Sequence, residues 1–256
     1  MGVAGRIYAV VAVLFWAVLP GFGIIDLTTM FADNSFYASV AALETSWGVL
    51  FTFIVALAFA AAAVRPEYIW PAMTLIWLTT AALLAAGLLG LQWQPAVVGL
   101  VLGIMSLGLV LTARHAQIKP PLAAPKVHWL LLGLAIAALP FWWFYAAAAF
   151  AMSRAGGSPS QFHTVGVDHW PVQGALGLTL ATGALVAALW PAMRSLFRVS
   201  LSLSAATLGA SWLMHPSTVG GIDNRLLATA AVVWAVMIAL TANAERLPRA
   251  THPLAA

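Results

Sequence analysis

Apolar runs of sixteen to twenty-four residues follow one another along this chain, and Asp26 is the only charged residue inside any of them. That pattern leaves few folds open. A run of about 20 apolar residues matches the hydrocarbon thickness of a bilayer when it is helical. In hydrocarbon every backbone N–H and C=O must find a partner within the protein, so spanning segments are helices or closed barrels. A barrel strand alternates apolar and polar residues over about ten positions, and these runs do not alternate. Only 7% of the 256 residues are charged, against about 25% in soluble domains. The expected fold is an all-α integral membrane protein, with the lipid bilayer as its solvent.

Eight spans are read: Ile7–Met30, Ser46–Val64, Trp70–Leu91, Pro95–Thr112, Trp129–Met152, Val172–Leu189, Val199–Met214 and Leu226–Ala242. Arg6 before the first run resembles the start of a signal peptide. The run is longer than a signal core and has no convincing small-residue cleavage site, so it is expected to be retained. There are no cysteines, which excludes disulfides, thiolate metal sites and cysteine nucleophiles. The net charge of +4 is scattered between the helices rather than gathered in a stripe, so no nucleic-acid partner is expected.

With eight spans both termini share one side. Arg6, Arg65, Arg114, Lys119, Lys126, Arg194, Arg198, Arg246 and Arg249 fall on that side, and only Arg154 and Arg225 on the other. Basic loops stay cytoplasmic. The chain is therefore read as a multi-pass protein of the cell membrane with both termini cytoplasmic, including a tail over 244–256. The acids show the reverse bias: Asp26, Asp33, Glu44, Asp168 and Asp223 fall outside, and Glu67 and Glu245 inside.

The tetrapeptide WPAM occurs at Trp70–Met73 and again at Trp190–Met193, and Leu19–Pro20 recurs as Leu139–Pro140 at the same spacing. Trp47 and Trp170 open the second span of each half. Together these predict an internal repeat of two four-helix halves, 1–120 and 121–256. Four spans return the chain to its starting side, so the halves should be parallel, related by an axis along the membrane normal. Pro20 and Pro140 lie mid-span, where each removes a backbone hydrogen bond and is expected to kink its helix. The five aromatics Phe141–Tyr145 encircle their helix and cannot all face one ligand. The four-plus-four plan is similar to that of heme A synthases, which implies heme-ligating histidines in the helices of both halves. Here every histidine lies in a loop or at a span edge, and the first half holds only His115, so no residue is carried over and no cofactor is assigned.

The outer face gathers the candidate site residues. Asp168 opens the sixth span as an N-cap, followed by His169, Trp170 and Pro171. Glu44 introduces the second span, and Asp223 and Asn224 the eighth. An ionisable residue within a span is a functional candidate by default, which singles out Asp26, with Arg225 as its natural ion-pair partner. His169 and His215 open and close neighbouring spans at one depth and are the metal candidates. Gln173 adds an amide one turn beyond His169. The ligand-binding or ion-coupling set is thus Asp26, Glu44, Asp168, His169, Gln173, His215, Asp223 and Arg225. No catalytic motif is present: there is no G-x-S-x-G, H-E-x-x-H or phosphate loop. Three functions follow. The first is non-catalytic binding or transport of a small or lipophilic solute through an outer-facing cavity. The second is a membrane-embedded enzyme or a metal- or heme-binding protein with its site at the outer face. The third is an accessory subunit whose apolar faces meet a membrane-protein partner or a second copy of the chain.

Overall fold

The structure is a computed structural model and describes residues 2–31, 39–115, 117–119 and 124–241. Asp33 and the expected tail 244–256 lie outside the described residues, as does Ala242 at the end of the last expected span. Among the described residues the regular structure is all helical. Its helices are α1 (Val3–Ala17), α2 (Gly23–Thr28), α3 (Ala41–Val64), α4 (Ile69–Leu89), α5 (Trp93–His115), α6 (Trp129–Arg154), α7 (His169–Leu189), α8 (Pro191–Met214) and α9 (Arg225–Leu240). Six of them, α3 to α8, are long and apolar enough to cross a membrane; α1 and α9 are apolar but shorter.

Helices α3 and α7 form the centre. In their most apolar stretches 67% and 72% of residues are buried, against 28% for α5 and α6. The outward faces of α5 and α6 carry Leu100, Ile104, Leu107, Leu111, Ile136 and Phe144. Exposed residues of this kind suit lipid rather than water. Helix α7 packs against α3, α4, α6 and α8. Many hydroxyls inside the helices bond to their own backbone. Those of Thr45, Thr74, Thr79, Thr112, Thr179 and Thr182 each donate to the carbonyl four residues earlier in their own helix.

The first expected span is broken rather than kinked. Helix α1 ends at Ala17, the Leu19–Pro20 peptide is cis, and Phe22 takes a left-handed φ of 55° before α2 begins. Proline cannot supply the next helical N–H, and the Gly21 N–H bonds instead to Phe15 O at 2.8 Å. A side chain at Gly21 would collide with the backbone of Trp16, so the tight return needs glycine. Pro140, by contrast, stands inside an unbroken α6. The two prolines share a sequence context but only the first has glycines on its far side, and the result is a break in one helix and a continuous helix in the other.

Helices α3, α7 and α8 begin earlier than their apolar runs, and each buries polar residues near its start. Glu44, Thr45 and Ser46 lie within α3. Arg194 lies within α8 and turns back to the end of α7, donating to Ala187 O at 3.1 Å, to Ala188 O at 3.3 Å and to Lys126 O. A cation at a helix C-terminus complements its dipole and its orphan carbonyls. Helix α3 also contains a π-helical stretch, Leu50–Ala56. The Phe53 carbonyl there accepts from Ser200 Oγ of α8 at 2.6 Å.

Candidate functional site

The break after α1 decides where Asp26 goes. Helix α2 packs on the first turns of α3, so Asp26 faces Glu44. The N-terminus of α7 meets the same turns of α3 and adds His169. All three side chains are buried, and one ligating atom from each lies within 4.8 Å of the others. The ring of Trp47, one turn beyond Glu44, packs on the His169 ring with centroids 4.7 Å apart. Trp47 is itself held by a 2.8 Å hydrogen bond from Nε1 to Gly21 O in the break.

Thr164 fixes the protonation pattern. Its hydroxyl donates to Asp26 Oδ2 at 3.2 Å, and its oxygen lies 2.9 Å from His169 Nε2. A hydroxyl has one proton. With that proton directed to Asp26, Nε2–H is the donor to Thr164, and in the neutral ring Nδ1 keeps its lone pair; the tautomer is assigned from this network. Nδ1 lies 3.4 Å from Glu44 Oε2, yet it has no hydrogen bond and is wholly buried. A nitrogen lone pair facing a carboxylate, away from water, is costly unless something positive stands between them.

Asp168 is not part of this group. Oδ1 accepts from Trp170 N at 3.2 Å and Ser158 Oγ at 2.7 Å; Oδ2 accepts from Gln92 Nε2 at 2.9 Å and Ser158 N at 3.3 Å. It caps α7 and also ties the loop before α7 to the start of α5. That loop then turns tightly at Val165 and Gly166, both with positive φ, and brings Thr164 over the site.

The other expected residues are dispersed. Gln173 lies one turn beyond His169, where Nε2 donates to Gly220 O at 3.3 Å and Oε1 is buried without a partner. His215 ends α8 with Nε2 2.8 Å from Met30 O. It is not among the three converging groups, because it stands at the helix terminus while His169 points inward from the first turn of α7. Asp223 and Arg225 are exposed before and at the start of α9, and Arg225 has no ion pair among the described residues. Asn224, rather than Asp223, caps α9 through bonds from Leu226 N and Leu227 N. Pro20 lines a groove of about 140 Å³ with Trp16, Gly21, Trp47 and Val165, and Pro140 is placed by nothing at the site. Sequence reasoning missed Thr164, a lone threonine in a loop with no pattern around it.

One histidine nitrogen and two carboxylates, buried together, are the donor set of a borderline divalent ion. Ligands about 2.0–2.2 Å from one tetrahedral ion stand about 3.4 Å apart, so the three groups, now within 4.8 Å of one another, would draw together on binding an ion. Oxygen-only calcium sites and soft thiolate sites differ in kind. No protein family, no curated protein and no solved structure matches the chain.

Proposed function

We propose that the protein is a multi-pass membrane metalloprotein that holds a divalent first-row transition ion, such as zinc, manganese or iron(II), through Asp26, Glu44 and His169 Nδ1. The carrying observation is the buried, unpartnered Nδ1 of His169 facing Glu44 3.4 Å away. Thr164 fits as the outer partner that holds the imidazole in its metal-binding tautomer, as such partners commonly do. Three protein ligands leave a coordination position open, the composition of sites that activate water or polarise a carbonyl. This reading is favoured over solute movement because the grooves on the surface are lined largely by apolar side chains.

In this proposal the chain crosses the membrane eight times, with α1 and α2 together forming the first crossing and α9 the last. The site then lies toward the outer face, an orientation that the Lys and Arg distribution supports. Two parallel halves, 1–120 and 121–256, meet at it: Asp26 and Glu44 come from the first, His169 and Thr164 from the second. Supporting the repeat, the two WPAM segments stand at the start of α4 and of α8. These are the third crossing of each half, and each packs against its own fourth.

Elemental analysis of detergent-purified protein tests the proposal. About one transition ion per chain is expected, with Glu44→Gln and His169→Ala reducing it to background while His215→Ala retains it. Absence of bound ion, together with no saturable binding of zinc, manganese or iron(II) to the purified protein, overturns it.

A further inference from the structure

A groove of about 490 Å³ runs between α4 and α6, away from the metal site and independent of it. Its floor is α7, contributing Leu178 and Thr182; its walls run from Leu78 to Leu89 on α4 and from Trp143 to Arg154 on α6. The volume is within the roughly 300–1,000 Å³ of ligand sites. Small side chains at Ala81, Ala85, Ala146 and Ala147 make the trough, and Trp143, 60% exposed, forms one flank. Twelve residues of helix on each wall, eleven rises of about 1.5 Å, give a length of roughly 16 Å. That is about half of the ~30 Å hydrocarbon core, or the depth of one leaflet.

The end of the groove is charged. Arg154, exposed at the last turn of α6, donates from Nη1 to Leu89 O at 2.5 Å, and its neighbour Ser153 donates to Gly90 O at 2.9 Å. These bonds join the ends of α4 and α6. A guanidinium has five N–H donors, so the bond to Leu89 leaves others for an anion, and the fork geometry suits phosphate. No acidic residue lines the groove, so nothing there would receive the ammonium of a zwitterionic headgroup.

We infer that this groove binds one acyl chain of an anionic phospholipid, with the lipid phosphate on Arg154 and the chain lying along α4 and α6 toward the membrane midplane. The test is native mass spectrometry of the full chain released from vesicles of equal parts phosphatidylglycerol and phosphatidylcholine. Wild type is expected to retain one phosphatidylglycerol. Arg154→Gln should weaken that retention about tenfold or more, the equivalent of one charge-assisted hydrogen bond. Ala147→Phe fills the trough without touching the charge and should weaken it similarly. Equal retention of the two lipids by wild type overturns the inference, as does unchanged preference in Arg154→Gln. Loss in Arg154→Gln with full retention in Ala147→Phe reduces the contact to a surface ion pair and overturns the groove as its site.

Discussion

Gly48 is not one of the proposed ligands, yet replacing it with alanine should disturb the proposed metal site. Gly48 lies on α3 one turn past Glu44, where α2 crosses closest. A Cβ there would stand 2.5 Å from Leu27 N and 2.8 Å from Gly23 O, both backbone atoms of α2. Ordinary contact begins at 3.4 Å, so α2 must withdraw by about 0.9 Å, the difference between those distances. Asp26 precedes Leu27 and moves with it. Metal–ligand distances tolerate only about 0.2 Å, so affinity for the ion should fall roughly 10–100-fold, the range for lost outer support. Stability has two opposing contributions. Overpacking costs about 1–3 kcal/mol, and exchanging glycine for alanine within a helix returns about 1 kcal/mol. The net is a loss of up to about 2 kcal/mol. Titration of reconstituted Gly48→Ala with zinc or manganese, alongside thermal unfolding, reads both quantities. Gly133→Ala is the control, since a Cβ there meets nothing within 4 Å. Metal affinity within twofold of wild type in Gly48→Ala would refute the coupling between the α2–α3 approach and the site, whatever the change in melting.

Asp168→Ala removes a helix cap and leaves the buried Ser158 and half-buried Gln92 groups without their carboxylate partner, so unfolding measurements should show a loss of about 3 kcal/mol; a loss under 1 kcal/mol would mean water replaces the carboxylate. Arg194→Met strips partners from the carbonyls of Ala187, Ala188 and Lys126 and should cost about 3 kcal/mol in the same assay, and Arg194→Lys should not restore it, because an ammonium lacks the planar fork. Reporter fusions within 115–128 should be cytoplasmic and those within 156–160 outside; the opposite result for either breaks the eight-crossing count and the orientation with it.

The sequence by itself determined the class of fold. Long apolar runs without strand alternation and sparse charge dictate helices in lipid, since only a closed barrel of alternating strands would otherwise satisfy the backbone there, and six of the runs correspond to helices long and apolar enough to cross. Local grammar was equally legible: Asp168 caps α7 because a carboxylate preceding a helix can reach its first N–H groups without help from the rest of the chain. The site was legible only as a set of residues, Asp26, Glu44 and His169 among others on one face. Which of them converge depended on the break at Gly21 and Phe22, where α1 stops and α2 turns onto α3, and that is a matter of backbone approach between segments, invisible to hydropathy. Thr164 was hidden for the same reason: it reaches the site through a loop anchored by Asp168 to Gln92 and Ser158, contacts 76 and 10 residues apart. Arg194 looked like a loop charge because positive residues between apolar runs usually are; only the end of α7 lying against it made it a buried cap. Periodicity reports the solvent each residue meets, whereas a site is made by distances between residues far apart in the chain, and those distances belong to the packing.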